Sequence, residues 1–185
     1  LPRAVRPHFV KRVCLMGPES TGKTTLAASL ARDLETVWVP EYARTYLAGR
    51  EGQPVLADFA PIARGQLASE QSLAADANRV LICDSDALTT ALYAQALCGE
   101  VPDEVQQLAD AGHYDLTLVT APDVPYVPEP LRFLPHAREA FFERCTSALE
   151  ARGRRYLVLS GGWAARRRGA RAAVDALLAR PSARG

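Results

Sequence analysis

The order of apolar segments along the chain predicts an α/β fold, in which a five-stranded, mainly parallel sheet carries helices on both faces. Short runs rich in Val, Leu and Ile predict strands near residues 9–16, 36–40, 80–84, 115–120 and 155–160. Helical spacing of apolar residues predicts helices near residues 23–34, 42–49, 56–78, 87–98, 103–111, 137–152 and 164–179. A chain of 185 residues is long enough for one sizeable core, so we expect a single domain over residues 1–185.

A glycine-rich turn joins the first strand to the first helix. An apolar run over residues 13–16 predicts the strand, and the helix is predicted from leucines that recur every fourth residue, Leu26, Leu30 and Leu34. The turn fits G-x-x-x-x-G-K-[ST], the phosphate-binding P-loop, and consists of Gly17, Pro18, Glu19, Ser20, Thr21, Gly22, Lys23 and Thr24. In such a loop, backbone N–H groups and the positive end of the helix converge on phosphate oxygens. We therefore predict a P-loop NTPase fold that binds a nucleotide through these residues.

Lys23 and Thr24 have separate tasks in this interpretation. A P-loop lysine reaches the β- and γ-phosphates, and the hydroxyl that follows it holds Mg²⁺. The chain has 22 Lys and Arg residues, of which only Lys11 and Lys23 are lysines. A lysine at this position in so arginine-rich a chain supports the assignment, because a compact ammonium on a flexible stem suits a phosphate.

Glu41 and Arg44 follow the second strand, which is predicted from the apolar run at 37–39. In open α/β sheets, ligands bind beyond the carboxyl ends of the strands, where Glu41 lies. Its carboxylate could accept a proton from an attacking hydroxyl or bind sugar hydroxyls. A helix that starts at Glu41 would present Arg44 on the same face. The alternative is structural, with Glu41 as a favourable first-turn acid and Arg44 as its surface partner.

An acidic motif ends the third strand. The apolar run at 80–83 leads into Asp84, where P-loop proteins place a carboxylate for Mg²⁺. Asp86 stands directly before the helix that Ala87 and Leu88 open, so it could either belong to the site or cap that helix. Asp84 is the better metal candidate of the two.

A proline-rich segment, about residues 121–136, follows the fourth strand. Long irregular segments in compact domains are usually functional or mobile. Phosphoryl transfer needs positive charge at the γ-phosphate and exclusion of water, which a mobile segment bearing Arg132 would supply. We therefore predict a lid with Arg132 as a catalytic residue; the alternative is an exposed loop arginine. Arg138 is interpreted as a surface residue at the start of a helix, which is predicted from apolar residues four apart, Phe141, Cys145 and Leu149.

The turn after the last strand, residues 160–163, reaches the ligand edge of the sheet. Trp163 could stack there on the base of the nucleotide, or simply pack against the protein. The arginines that follow it, at 166–168, are interpreted as one solvated face of the last helix.

Composition narrows the classes of partner. A net charge of +1 gives no general attraction to nucleic acid, and no apolar run approaches the roughly 18 residues that span a bilayer. We therefore predict no nucleic-acid partner and no membrane partner. The four cysteines are widely spaced, without a C-x-x-C motif, so we expect reduced, structural thiols and a cytoplasmic protein.

With these residues in place, the chain resembles the ribosylnicotinamide kinase domain of the bacterial NadR-type NAD-biosynthesis proteins. The resemblance rests on 17–26, Glu41-Tyr42-Ala43-Arg44-Thr45-Tyr46, Ala63-Arg64-Gly65-Gln66, Cys83-Asp84-Ser85-Asp86 with Thr89-Thr90, and Asp123-Val124-Pro125-Tyr126 leading to Leu131-Arg132. It implies that Thr25 joins the nucleotide-binding loop, and that substrate is bound by Glu41, Tyr42, Arg44, Gln66, Asp84, Asp86 and Tyr126. The chain departs from the family pattern in two places: Glu129-Pro130 stand in place of Asp-Gly, and Tyr126 stands in place of Trp.

The resemblance implies transfer of the γ-phosphate of ATP or GTP to the 5′-hydroxyl of nicotinamide riboside, with Mg²⁺ as cofactor. Two alternatives stay open. One is a kinase for another nucleoside, or for a nucleoside monophosphate whose phosphate Arg44 and Arg64 would bind. The other is a nucleotide-dependent regulatory ATPase or switch. A homo-oligomer also stays open, and so does origin as a piece of a longer protein, since the chain begins with Leu1 rather than Met.

Overall fold

The computed structural model describes residues 10–179. Its strands are β1 (Lys11–Met16), β2 (Trp38–Val39), β3 (Val80–Asp84), β4 (Leu116–Thr120) and β5 (Tyr156–Leu159). Its helices are α1 (Lys23–Asp33), α2 (Tyr42–Tyr46), α3 (Leu56–Ala74), α4 (Ala87–Cys98), α5 (Asp103–Ala111), α6 (Arg138–Ala151) and α7 (Trp163–Leu178). Every strand and helix expected from the sequence is present. The predicted β1 start, residue 9, lies outside the described residues.

The helix α3 ends at Ala74 rather than at residue 78, and the two elements on either side of Glu41 are also shorter than expected. The strand β2 has two residues rather than the predicted 36–40, because it lies at the edge of the sheet and is followed by Pro40, which has no N–H to donate. The helix α2 ends at Tyr46 rather than at residue 49, and none of its residues is fully buried. The differences in β2 and α2 lie next to Glu41, so the segment that carries this residue is held mainly by contacts with other elements.

All five strands run parallel in the order β2-β3-β1-β4-β5, which confirms the predicted fold class. The central strand β1 pairs with β3 on one side and β4 on the other. In the β1–β3 register Leu15 is opposite Asp84. Because Gly17 begins the P-loop directly after β1, this register brings Asp84 beside the loop.

Helices cover both faces of the sheet. On one face α1 and α7 pack on β1 in a cluster that includes Leu15, Leu30 and Val174. On the other face α3 to α6 pack together in a cluster that includes Phe59 and Phe141. Within residues 10–179, none of the helices has both the length and the apolar character needed to cross a lipid bilayer. With both faces covered, the carboxyl edge of the sheet is where a site can form.

Gly65, in the middle of α3, sets how closely α2 approaches. A Cβ at this position would lie 2.1 Å from the nearest atom of the Tyr42 ring. The backbone N–H of Tyr42 also donates to Oε1 of the adjacent Gln66 at 2.9 Å. The ring and this hydrogen bond thus fix α2 on α3.

Glu70 lies one turn beyond Gln66 on α3 and is 1% exposed. Its carboxylate accepts hydrogen bonds from the Tyr114 hydroxyl at 2.7 Å and from Arg12 at 3.1 Å. Burial is the largest influence and raises the pKa of Glu70 to about 7, in spite of the ion pair with Arg12. The folded protein therefore keeps a proton on Glu70 at pH values where the unfolded chain has lost it.

We expect Gly65→Ala to lower the free energy of unfolding by about 1–3 kcal/mol, because the added methyl group must displace the Tyr42 ring. Gly169→Ala in α7 is the matched control. There an added Cβ meets only the end of the Leu159 side chain, at 3.3 Å, and the helix preference of alanine offsets the crowding. Denaturant unfolding of both variants measures the difference, and equal stabilities would contradict this packing of α2.

The pKa of Glu70 predicts a pH-dependent stability. As pH rises from 4.5 to about 7, the folded state binds more protons at Glu70 than the unfolded state, so stability falls over this range. Glu70→Gln removes this titration. The variant should therefore gain on the order of 1–3 kcal/mol relative to the wild type between about pH 5 and about pH 8. Denaturant unfolding at both pH values measures the gain, and a constant difference would show that the pKa is not raised.

Candidate active site

Gly17 and Gly22 shape the P-loop. Gly17 has a φ of +136°, and a Cβ on it would lie 2.6 Å from both the carbonyl oxygen and Oγ1 of Thr120. Gly22 has a φ of +83° and stands at the N-cap of α1. Both positions favour glycine because other residues rarely adopt these backbone angles. The loop thereby packs directly on the carboxyl end of β4.

Lys23 lies inside the loop. Its Nζ donates to the carbonyl oxygen of Gly17 at 2.8 Å and to that of Pro18 at 2.7 Å. These bonds hold the ammonium group over the turn that the motif assigns to the β- and γ-phosphates. Phosphate oxygens would replace the neutral carbonyl acceptors with charged ones, which form stronger hydrogen bonds.

Thr24 and Asp84 form the candidate metal position. Thr24 Oγ1 donates to Asp84 Oδ2 at 2.6 Å, and the other carboxylate oxygen, Oδ1, is buried without a hydrogen-bond partner. Burial, followed by the nearby charge of Glu41, raises the pKa of Asp84 to about 6. A carboxylate with one unused oxygen beside a hydroxyl matches the preference of Mg²⁺ for oxygen ligands. These residues therefore fit the ion.

A cavity of about 310 Å³ opens between the P-loop, helices α2 to α4 and residues 129–133. Its wall contains most of the predicted site residues, namely Glu19, Ser20, Thr21, Gly22, Lys23, Thr24, Thr25, Glu41, Arg44, Gln66 and Arg132. It also contains an apolar group that the sequence did not single out, consisting of Leu47, Phe59, Ile62, Tyr93 and Leu97. Asp84 is fully buried and contacts this wall through Thr24. The cavity thus combines a phosphate-binding loop with an apolar surface suited to an organic ligand.

Glu41 stands at the N-cap of α2 with its side chain 19% exposed, and its carboxylate accepts a hydrogen bond from Nε of Arg44 at 3.2 Å. Gln66 holds this region in place, because its amide accepts from Tyr42 and donates to the carbonyl oxygen of Ser85 at 3.3 Å. The structure therefore gives Tyr42 and Gln66 hydrogen bonds that join α2, α3 and the turn after β3. Through them Glu41 reaches the same cavity as Lys23.

The proline-rich segment 121–136 is hydrogen-bonded to the P-loop through two acceptor side chains. The Glu19 carboxylate accepts from the backbone N–H groups of Phe133 and Leu134, at 2.8 Å and 2.9 Å. The Ser20 hydroxyl accepts from the N–H of Val127 at 2.7 Å. Variable positions of the P-loop motif thus hold the segment against the cavity.

Arg138 also joins the segment 121–136 to the P-loop through hydrogen bonds, so its interpretation as a surface residue is wrong. Its guanidinium donates to the carbonyl oxygen of Glu19 at 3.1 Å and to that of Val124 at 3.0 Å. Sequence reasoning missed this role because both acceptors are backbone groups, and one of them, on Glu19, is distant in sequence.

Arg166, on α7, also holds the P-loop in place, through a hydrogen bond to Thr21. It is 2% exposed, contacts the Asp123 carboxylate, and donates over 2.8–3.0 Å to the carbonyl oxygens of Thr21, Ala121 and Gly161. The expectation that residues 166–168 form a solvated face is therefore wrong for Arg166. Its spacing was an available signal, since it stands four residues before the buried Ala170.

Arg132 lies in the cavity wall, where other groups already occupy its guanidinium. One terminal nitrogen donates to Glu129 Oε1 at 2.6 Å, and the other contacts the carbonyl oxygen of Val127. The side chain is 12% exposed. A bound triphosphate would have to compete with Glu129 for this charge.

Asp86 has a structural role, which corrects its assignment as a substrate-binding residue. Its Oδ1 accepts from the backbone N–H of Thr89 at 2.8 Å, and its Oδ2 pairs with Arg154 at 2.7 Å. The residue is 1% exposed. The helix-capping alternative is therefore confirmed, and both carboxylate oxygens are engaged within the protein.

Tyr126 and Trp163 lie outside the wall of this cavity. The Arg138 guanidinium is 5.9 Å from the centre of the Tyr126 ring. Trp163 is 42% exposed, and its ring would lie 3.8 Å from a Cβ on Gly22. Trp163 therefore flanks the P-loop, and its contact with a nucleotide base stays a prediction.

Comparison with known proteins matches residues 12–166 to a family model described as an AAA domain. Two curated relatives are the trifunctional NAD biosynthesis/regulator proteins NadR of Salmonella typhimurium and Escherichia coli. Each is 33% identical over 138 residues, which is 72% of this chain and 34% of the relative. The chain therefore spans about one third of the length of the curated relatives it matches.

Solved structures agree. A crystal structure of NadR in complex with NR has a TM-score of 0.83 and 28% identity, covering 98% of this chain and 55% of the other. One of NadR with NAD and AMP-PNP has a TM-score of 0.80 and 27% identity, covering 99% and 54%. Thymidylate kinase from Ehrlichia chaffeensis, with a TM-score of 0.59 and 17% identity over 91% of this chain and 98% of its own, shares the fold. The resemblance to the NadR-type proteins is thus confirmed, and by its match over residues 12–166 the chain belongs to the AAA domain family of P-loop proteins.

Proposed function

We propose that the chain is a nucleoside kinase that transfers the γ-phosphate of ATP, or of GTP, to the 5′-hydroxyl of nicotinamide riboside, giving nicotinamide mononucleotide for NAD biosynthesis. The observation that carries this proposal is one cavity whose wall contains both Lys23 of the P-loop and the carboxylate of Glu41. The ligands named with the similar NadR structures, NR in one and AMP-PNP in the other, support it.

Catalysis in this proposal is mostly positioning and electrostatics. Lys23 binds the β- and γ-phosphates, Glu41 accepts the hydrogen bond and then the proton of the acceptor hydroxyl, and Arg132 neutralises charge that develops on the transferred group. Thr24 and Asp84 would hold Mg²⁺, which when bound neutralises charge on the phosphates. A lid over 121–136 and a contact of Trp163 with the donor base belong to the same proposal.

The charges around the acceptor favour a cationic nucleoside. Arg44 is shared between Glu41 and Glu129, each at 3.2 Å, and Glu129 also pairs with Arg132, so two carboxylates and two guanidinium groups balance one another. Nicotinamide riboside carries a positive pyridinium ring, which the Glu41 carboxylate would attract. An acceptor phosphate would find no unpaired guanidinium among these side chains, and Arg64 cannot assist it, because it pairs with Glu104 and is not part of the wall. The monophosphate-kinase alternative therefore loses its arginine cluster.

The cysteines support a reducing compartment. Cys14, Cys83, Cys98 and Cys145 are all free thiols. Cys14 and Cys83 are fully buried, and burial is the main cause that raises both pKa values. Such thiols are structural rather than reactive, and we accordingly propose a cytoplasmic enzyme.

Lys23→Ala should lower kcat for phosphate transfer by about 100-fold or more, because it removes the charge that binds the transferred group. Lys11→Ala is the matched control, since Lys11 is the other lysine of the chain and pairs with Asp115 at 3.0 Å, away from the cavity.

Asp84→Asn should raise the Mg²⁺ concentration needed for half-maximal activity. Steady-state assays over a range of Mg²⁺ concentrations measure both effects, and full activity of either site variant would remove that residue from the mechanism.

The acceptor is tested by a phosphate-transfer screen with ATP and with GTP. We expect nicotinamide riboside to be used in preference to its neutral dihydro form, to ordinary nucleosides and to nucleoside monophosphates. Glu41→Gln should weaken use of nicotinamide riboside while leaving ATP binding nearly unchanged. Preference for a monophosphate would overturn the proposed acceptor. Hydrolysis of ATP without transfer to any nucleoside would instead support the regulatory ATPase.

A further inference from the structure

Four charged side chains of alternating sign connect α2 to the segment 121–136. Glu41 accepts from Arg44 at 3.2 Å, Arg44 donates to Glu129 Oε2 at 3.2 Å, and Glu129 Oε1 accepts from Arg132 at 2.6 Å. All four side chains line the cavity. The chain of contacts therefore begins at the residue proposed to bind the acceptor and ends at the arginine proposed to stabilise the transition state.

Arg132 is held in this arrangement by its own segment. Its terminal nitrogens are occupied by Glu129 and by the carbonyl oxygen of Val127, while its Nε is buried without a partner. An unpaired buried donor costs free energy. A second arrangement in which all of its nitrogens meet acceptors, such as phosphate oxygens, would therefore be favoured once those acceptors are present.

We infer that Glu129 is a positioning residue that keeps Arg132 away from the phosphate site until the acceptor nucleoside binds. The inference rests on the proposed function, because it takes Arg132 as the transition-state cation. An acceptor hydroxyl that engages Glu41 removes one carboxylate partner of Arg44. Arg44, which already donates to Glu129, then pairs more strongly with that carboxylate. It competes with Arg132 for the charge of Glu129, and Arg132 is released to the γ-phosphate.

The consequence is protection against wasteful hydrolysis. In that reaction a water oxygen forms a bond to the γ-phosphorus and the bond from the γ-phosphorus to the β–γ bridging oxygen breaks. ADP and inorganic phosphate leave, and the proton lost by the water passes to solvent. A free Arg132 would stabilise this transition state as well as that of transfer. With Arg132 paired to Glu129, hydrolysis lacks the charge of this arginine while the acceptor is absent.

The test measures ATP hydrolysis without acceptor, in the full chain, for the wild type and Glu129→Gln. The amide keeps the size of the side chain and removes its charge, so we expect hydrolysis to rise by about three- to tenfold. Glu104→Gln is the matched control, since Glu104 also pairs with an arginine, at 2.6 Å, but lies outside the cavity wall. It should leave hydrolysis unchanged.

Two further variants separate release of Arg132 from a general loosening of the fold. The double variant Glu129→Gln, Arg132→Gln should return hydrolysis to the wild-type rate or below, and Glu129→Asp, which restores a carboxylate, should largely suppress the rise. Hydrolysis that is unchanged or lower in Glu129→Gln, or that stays high in the double variant, would overturn the inference. Phosphate transfer by the wild type is recorded in parallel. Its absence with every nucleoside would contradict the proposed function alone, because the hydrolysis assay uses no acceptor.

Discussion

The parallel register between β1 and β3 is the constraint on which the rest of the site depends. It places Asp84 opposite Leu15 and brings its carboxylate within 2.6 Å of Thr24. A slip of one residue would turn Asp84 to the other face of the sheet. Residues 13–16 and 80–84 are all fully buried between the helices of the two faces, so such a slip would also change which side chains pack on each face. Burial of the two strands therefore fixes the position of the metal candidate.

Charged groups around the cavity fall into two kinds, according to how completely the protein satisfies them. Arg166 and Glu19 use their charges on backbone groups and are nearly inaccessible, which makes them part of the scaffold. Asp84 and Arg132 each keep one buried atom without a partner. Unsatisfied buried polar atoms are uncommon and need an explanation. A bound cation for Asp84 and phosphate oxygens for Arg132 would supply the missing partners. We therefore interpret these two side chains as ligand-binding groups.

Local patterns in the sequence predicted the parts of this site that one segment determines alone. The P-loop is contiguous, and Asp84 ends an apolar strand whose place in the sheet follows from the fold class. Arg138 and Arg166 could not be predicted in the same way. Their acceptors are mainly carbonyl oxygens, which every residue possesses, and the P-loop carbonyl that each arginine reaches lies more than 100 residues away in the chain. The contribution of Phe59 and Ile62 to the cavity wall could not be predicted either, because an apolar residue on a helix is equally consistent with core packing and with a cavity wall.

The difference in charge between the two ends of the cavity determines which ligand binds where. Lys23 and the N-terminus of α1 make one end positive, whereas at the other end Glu41 and Glu129 are balanced by Arg44 and Arg132. In a cavity of about 310 Å³ the two ends are close enough for their charges to act on both ligands. A triphosphate is therefore attracted to the P-loop end, and a cationic nucleoside is repelled from it. Binding in the wrong orientation is disfavoured by the same positive charges that bind the donor correctly.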